Sequence, residues 1–124
     1  MIAWLAVAAG GAIGALLRYG VSGLVGVTQV FPWATLTINI AGSFAIGLVW
    51  GAFGSAEWFQ QWGRALLVVG LLGGFTTFSA FSLETLNLLQ NNRPLLALVY
   101  AGASVLVCVS AVYVGERSGQ LMLP

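Results

Sequence analysis

Four long apolar stretches run through the chain, separated by short polar turns. The first runs from about Ile2 to Val25 and the second from about Trp33 to Phe53. The third runs from about Arg64 to Leu89 and the fourth from about Leu95 to Val114. Each has about the 20 residues that a helix needs to cross the hydrocarbon core of a bilayer. None alternates apolar and polar positions, so the pattern argues against a membrane β-barrel. Gln29-Val30-Phe31-Pro32, Gly54-Ser55-Ala56-Glu57 and Asn91-Asn92-Arg93-Pro94 mark the turns, and Pro32 suits the first turn of a helix. Turns this short make successive helices antiparallel neighbours and put both termini on one side. The pattern thus predicts an all-α integral membrane protein with four transmembrane helices in a single domain, 1–124. Trp4, Trp33, Trp50, Trp58 and Trp62 all fall near the ends of the spans. Indole favours the headgroup zone, so these five are expected to be lipid anchors. Met1-Ile2-Ala3-Trp4 lacks the positive stretch of a signal peptide, and the first run is expected to remain as a span.

Composition narrows the function. Hydrophobic residues are 60% of the chain and charged residues 6%, against roughly 25% charged in an average soluble domain. The charges are four Arg and three Glu; Lys, Asp and His are absent. Seven charges cannot cover a soluble fold, and a net charge of +1 offers no basic stripe for nucleic acid. Without His, Asp or Lys, most metal sites and acid–base machinery are out of reach. Cys108 is the only cysteine and lies in an apolar run, so it reads as a small buried side chain.

The arginines are balanced. Arg64 and Arg117 flank the side that carries the termini, and Arg18 and Arg93 flank the other. Orientation in a membrane follows a Lys/Arg bias between the two sides, and this chain has none. Two copies inserted oppositely would create the inverted repeat that many transport proteins encode in one chain. An antiparallel, dual-topology homodimer is therefore expected; a fixed orientation set by other features is the alternative.

Several polar or small residues stand inside the spans. Gly accounts for 17 of 124 residues, about twice its usual ~7%, and in lipid it lets helices approach closely. Gly10-Gly11-Ala12-Ile13-Gly14-Ala15, Gly42, Gly47 and Gly102 read as packing positions. Arg18 lies roughly 24 Å along the first helix at 1.5 Å per residue, where it either snorkels to water or draws anions into a vestibule. Asn39 sits two turns into the second helix and needs a partner there. It serves either a helix–helix hydrogen bond or an ion pathway.

The middle of the third span is the most unusual stretch. Gly70-Leu71-Leu72-Gly73-Gly74-Phe75-Thr76-Thr77-Phe78-Ser79-Ala80-Phe81-Ser82 is a poor helix former. It is either a glycine-kinked continuous helix or a helix broken at its centre. A break would free carbonyls in mid-membrane, which lipid tolerates only where protein or water covers them. Such carbonyls can hold a cation. Phe75, Phe78 and Phe81 interleave with hydroxyls, and their ring edges carry partial positive charge, so they could line a path for a small anion.

These residues resemble the Fluc (CrcB) family of fluoride channels. Gly10-Gly11-x-x-Gly14-Ala15-x-x-Arg18-Tyr19 is similar to the family's first-helix signature. Pro32-Trp33-x-Thr35-Leu36-x-x-Asn39-x-x-Gly42-Ser43-Phe44 is similar to its second. Gly73-Gly74-Phe75-Thr76-Thr77-Phe78-Ser79-x-Phe81-Ser82-x-Glu84, the most specific, is similar to its third. The resemblance implies an antiparallel dimer with two fluoride pathways. It implies that Phe78 and Phe81 present ring edges to fluoride, with Asn39 and Ser79 beside them. It further implies that the carbonyls of Gly73 and Thr76 hold a sodium ion on the dimer axis. Tyr100 and Ser104 are matched to a polar track on the fourth helix without a firm motif. Ala80 stands where the family often has Thr. The function implied is passive export of fluoride across the cell membrane, a bacterial inner membrane. A small multidrug-resistance-type exchanger is the alternative, and it would need a Glu in the first helix that is missing here.

Overall fold

In the computed structural model, which describes residues 1–26 and 30–122, the first two spans fall where the apolar pattern put them. Helix α1 is Ile2–Val25 and α2 is Trp33–Phe53. The α1 helix ends at Gly26, whose φ of 83° is one that a residue with a Cβ rarely adopts. Gln29, placed in the first turn by the sequence, lies outside the described residues.

The third span starts earlier than Arg64 and is in two pieces. The first, α3, is Phe59–Leu72 followed by the single turn Gly73–Phe75. Phe59–Leu72 is wound as a wide π-helix. Thr76 and Thr77 then leave helical geometry, with φ/ψ of −79/158° and −151/118°. Extended backbone suits two adjacent β-branched residues. The second piece, α4, is Phe78–Gln90. Thr77 caps it, its Oγ1 accepting from the Ala80 N–H at 3.2 Å, as a threonine does at a helix N-terminus. The third span is therefore a helix broken at its centre.

The fourth span, α5, is Pro94–Met122 and passes well beyond Val114. Glu116 and Arg117 belong to it rather than to a tail. The extension follows from packing. Cβ atoms at Gly115 and Gly119 would collide with the backbone carbonyls of Phe44 and Leu48 on α2. Gly47 and Gly51 likewise sit against the backbone at Val112 and Glu116. This seam joins the C-terminal halves of α2 and α5, from Phe44 to Ala52 and from Val112 to Gly119. A second seam joins α1 to α3: Gly10 meets the backbone of Leu66 and Leu71, and Gly14 meets that of Leu71 and Phe75. Backbone-to-backbone approach of this kind is how helices gain dispersion contacts in a solvent as apolar as themselves. By contrast, Gly102, expected to be a packing position, has open space where a Cβ would point.

The outer surface is apolar. Leu5, Leu16, Leu24, Leu98 and Leu106 are all at least 67% exposed, as lipid-facing residues are. All four spans are long and apolar enough to cross a membrane, and the protein is a multi-pass membrane protein. Trp4, Trp33, Trp50, Trp58 and Trp62 are all exposed. Trp50, Trp58 and Trp62 also join Phe53 and Phe59 in an aromatic cluster with ring centroids 5.2–6.0 Å apart.

Candidate functional site: the break in the third span

The two pieces of the third span are fixed by side chains from the other spans. From α2, the Asn39 amide meets the backbone of Thr77 twice. Its Nδ2 donates to the Thr77 carbonyl at 3.0 Å, and its Oδ1 accepts from the Thr77 N–H at 2.8 Å. From α1, the half-buried Arg18 donates through Nε to the Gly74 carbonyl at 3.1 Å. Thr76 folds back on its own helix, its N–H and its Oγ1 both donating to the Leu72 carbonyl at 2.9 Å. Gly42 leaves room on α2 for the Thr76 methyl and the Phe75 ring.

This arrangement sorts the carbonyls around the break. Those of Leu72, Gly74 and Thr77 have donors. Those of Gly73 and Thr76 have none among the described residues. They are hard oxygen ligands of the kind that unwound membrane helices offer to sodium. Two carbonyls make at most half of such a site, and Gly73 is exposed on the surface of the single chain.

A groove of about 370 Å³ runs beside the break, between α2, α4 and α5. Asn39, Phe78, Phe81 and Ser104 line it, together with Gly73 and Thr76. None of its lining residues is charged. The Ser104 Oγ is buried and has no hydrogen-bond partner in the single chain. Burying a hydroxyl without a partner is costly, so an orphan facing a groove marks a place for a ligand or a second chain. Phe78 is 77% exposed and its ring lies 5.3 Å from that of Phe81. Phe81 in turn lies 5.1 Å from the Tyr100 ring.

Three expected site residues sit apart from the groove. Ser79 is exposed, with its Oγ 3.3 Å from the Thr77 Oγ1. Tyr100 is fully buried in the core with Leu36, Leu88 and Ala97. The Arg18 side chain lies against the break, and neither of the two large cavities includes it.

Tyr100 leads to a residue to which the sequence reading gave no role. Glu84, on α4, accepts from the Tyr100 hydroxyl and from the Thr35 hydroxyl, both at 2.6 Å. Thr35 is buried. One carboxylate thus ties α2, α4 and α5 together below the groove. It also lines a second, larger cavity of about 590 Å³ with Asn87, Asn91 and Arg93 near the turn. The signal was present in the sequence: Glu84 is an acidic residue within an apolar span, and such residues are rarely without a task.

Comparison with known proteins agrees with this geometry. Residues 5–116 match the family model described as CrcB-like protein, Camphor Resistance (CrcB). The chain is 52% identical over 119 residues to the fluoride-specific ion channel FluC of Hyphomonas neptunium, covering 93% of each chain. It is 48% identical over 123 residues to that of Magnetococcus marinus, covering 98% of each. Against the Thermus thermophilus channel the identity is 45% over 123 residues, with 94% of each covered. With four membrane-spanning helices, a third span broken at Thr76–Thr77 and matches across nearly its whole length, the chain belongs to the CrcB-like family.

Proposed function

We propose that this protein is a passive fluoride channel built from two copies inserted in opposite orientations. The observation that carries the reading is the uncharged groove at the break. There an asparagine amide, two phenylalanine rings and an unpartnered serine hydroxyl come together, in a chain whose relatives are named as fluoride-specific ion channels. Fluoride is small and strongly hydrated, so a selective path must replace its water with placed donors. Asn39 has one amide hydrogen left after bonding Thr77, Ser104 adds a hydroxyl in the groove, and Ser79 offers one from the exposed surface beside Thr77. The edges of Phe78 and Phe81 add weak positive potential while keeping the path narrow. Arg18 keeps its terminal nitrogens free of hydrogen bonds among the described residues and would raise the local concentration of anions. Glu84, held by Thr35 and Tyr100, stays below the groove and out of its lining.

Antiparallel pairing is supported by the balanced arginines and by the half-site at Gly73 and Thr76. A sodium ion held by these carbonyls from both copies would offset the cost of an anion in mid-membrane. For a charged side chain that cost is at least ~2.5–3.5 kcal/mol. The proposed setting is the cell membrane, where the channel lets fluoride leak outward down its gradient.

Efflux from liposomes tests the reading. Wild-type protein should release fluoride and retain chloride. Phe81→Ile keeps an apolar side chain but removes the ring edge, and should cut fluoride flux sharply while a folded dimer persists on size exclusion. Equal flux per dimer in the variant would remove the phenylalanines from the pathway. A C-terminal tag should be accessible from both faces of the membrane, and labelling from one face alone would sink the dual topology. Replacing sodium with a bulky organic cation should weaken the dimer or its conduction.

A further inference from the structure

We infer that Asn39 is first a positioning residue, a side-chain substitute for a backbone partner that holds the third span open at Thr77. Thr77 has the extended geometry of a strand, with φ/ψ of −151/118°. An extended residue exposes an N–H and a C=O that no helix partner can reach, and both must be paired inside a membrane. The Asn39 amide offers the one side-chain shape that pairs both, as a peptide group would. It uses its oxygen and one hydrogen for this purpose.

Residue choice elsewhere follows the same logic. Arg18 takes the Gly74 carbonyl from the α1 side, and Thr76 and Thr77 use their own hydroxyls on Leu72 and Ala80. The carbonyls of Leu72, Gly74 and Thr77 are thus paired, while those of Gly73 and Thr76 have no donor among the described residues. Without Asn39, the Thr77 peptide would lose both partners, and a continuous helix that pairs those groups internally would become the better solution. That helix would rotate Phe78 and Phe81 relative to α3. The loss of function expected on changing Asn39 would then come from moving the rings as well as from losing one donor.

The inference concerns the break itself and rests on the channel reading only through the flux measurement. Its test is residue-resolved amide exchange on the full-length protein in micelles, paired with fluoride efflux from liposomes. In the wild type, the Thr77 N–H should exchange as slowly as amides in the middle of α4. Exchange as fast as at the turn residue Ser55 would overturn the clasp, and this measurement stands even if a variant fails to fold. In Asn39→Ala, which loses both bonds, Thr77 exchange should change by roughly tenfold or more, about the worth of two net hydrogen bonds. Neighbouring amides from Thr76 to Ala80 should move with it. Asn39→Asp keeps an acceptor for the N–H but sets a carboxylate against the Thr77 carbonyl, and should be intermediate. Ser110→Ala, on the exposed face of α5, should change nothing. If Asn39→Ala abolishes flux while exchange from Thr76 to Ala80 stays as in the wild type, Asn39 is only a donor to the ion and the clasp is wrong. If exchange changes and flux does not, the clasp stands and the pathway reading fails.

Discussion

The helix seams and the break use the same residue type for opposite ends. In the seams, Gly10, Gly14, Gly47, Gly51, Gly115 and Gly119 lie within regular helices, and their missing side chains bring two backbones together. At the break, Gly74 still packs against the Gly11 backbone of α1, whereas Gly73 precedes the point where backbone stops being helical without such a contact. A Cβ on Gly73 would find only ordinary contact, 3.4 Å from the Val68 carbonyl oxygen. The seams hold by dispersion between closely packed backbones. The break holds by side chain to backbone hydrogen bonds from Arg18 and Asn39. In lipid, polar groups are tolerated where they complete one another, so this chain confines irregular backbone to one place and surrounds it with continuous helix.

That contrast can be broken most forcefully at a seam. Gly14→Leu or Gly115→Leu would drive a side chain into facing backbone, beyond the ~1–3 kcal/mol usual for overpacking a flexible core. Neither variant should yield folded protein on size exclusion. Gly20→Ala, with open space around it, should yield as much as the wild type. A folded Gly14→Leu protein would show that the α1–α3 seam can slide.

The next largest effect is expected at Glu84. Glu84→Ala leaves the hydroxyls of Thr35 and Tyr100 buried without an acceptor, each at about 1–3 kcal/mol. Thermal unfolding in detergent should shift down by the equivalent of about 2–4 kcal/mol. Tyr100→Phe, which removes one donor and leaves the acceptor, should cost less than half as much.

Gly42 lies where seam and break meet, because the atoms a Cβ would strike there are side-chain atoms of Thr76 and Phe75. Gly42→Ala should therefore cost only about 1–2 kcal/mol yet reduce fluoride flux per folded dimer, since Thr76 must shift. Full flux with lowered stability would place Gly42 with the seams alone.

Smallest of all should be Arg64→Ala. The Arg64 guanidinium stacks 5.6 Å from the Trp50 ring centroid on an exposed surface, a contact worth about 0.5–1 kcal/mol. A melting shift beyond that range would mean that the aromatic cluster at this end is held together by its cation.

Much of the fold could be read in the chain because lipid imposes a simple rule: apolar length makes a span. The bounds of α1 and α2 follow from it directly. The rule failed where polar residues are helical for reasons of packing. Gln60 and Gln61 hid the start of α3, and Gly115-Glu116-Arg117-Ser118-Gly119 hid the last turns of α5. The weak stretch from Gly70 to Ser82 located the break, but not its position at Thr76–Thr77, which depends on partners from α1 and α2. For the site, residue types singled out Asn39, Phe78 and Phe81, which line one groove, while Ser104 beside them came only from the resemblance. The role of Glu84 was not legible, because its two donors lie 49 and 16 residues away, a distance at which spacing carries no information.

The sequence by itself determined that this is a four-span membrane protein with a weakened third helix, almost no charge and arginines spread evenly between the two ends of the spans. Those properties are sums over local composition, and the bilayer acts on each span separately. Only the tertiary structure decided which glycines face backbone and which face open space. It alone set Asn39 on Thr77, Arg18 on Gly74 and Glu84 between Thr35 and Tyr100, and so decided which carbonyls of the break stay free. These are pairings between spans, and they depend on helix rotation and depth, which the apolar pattern leaves undefined because a helix hydrophobic all round has no preferred face.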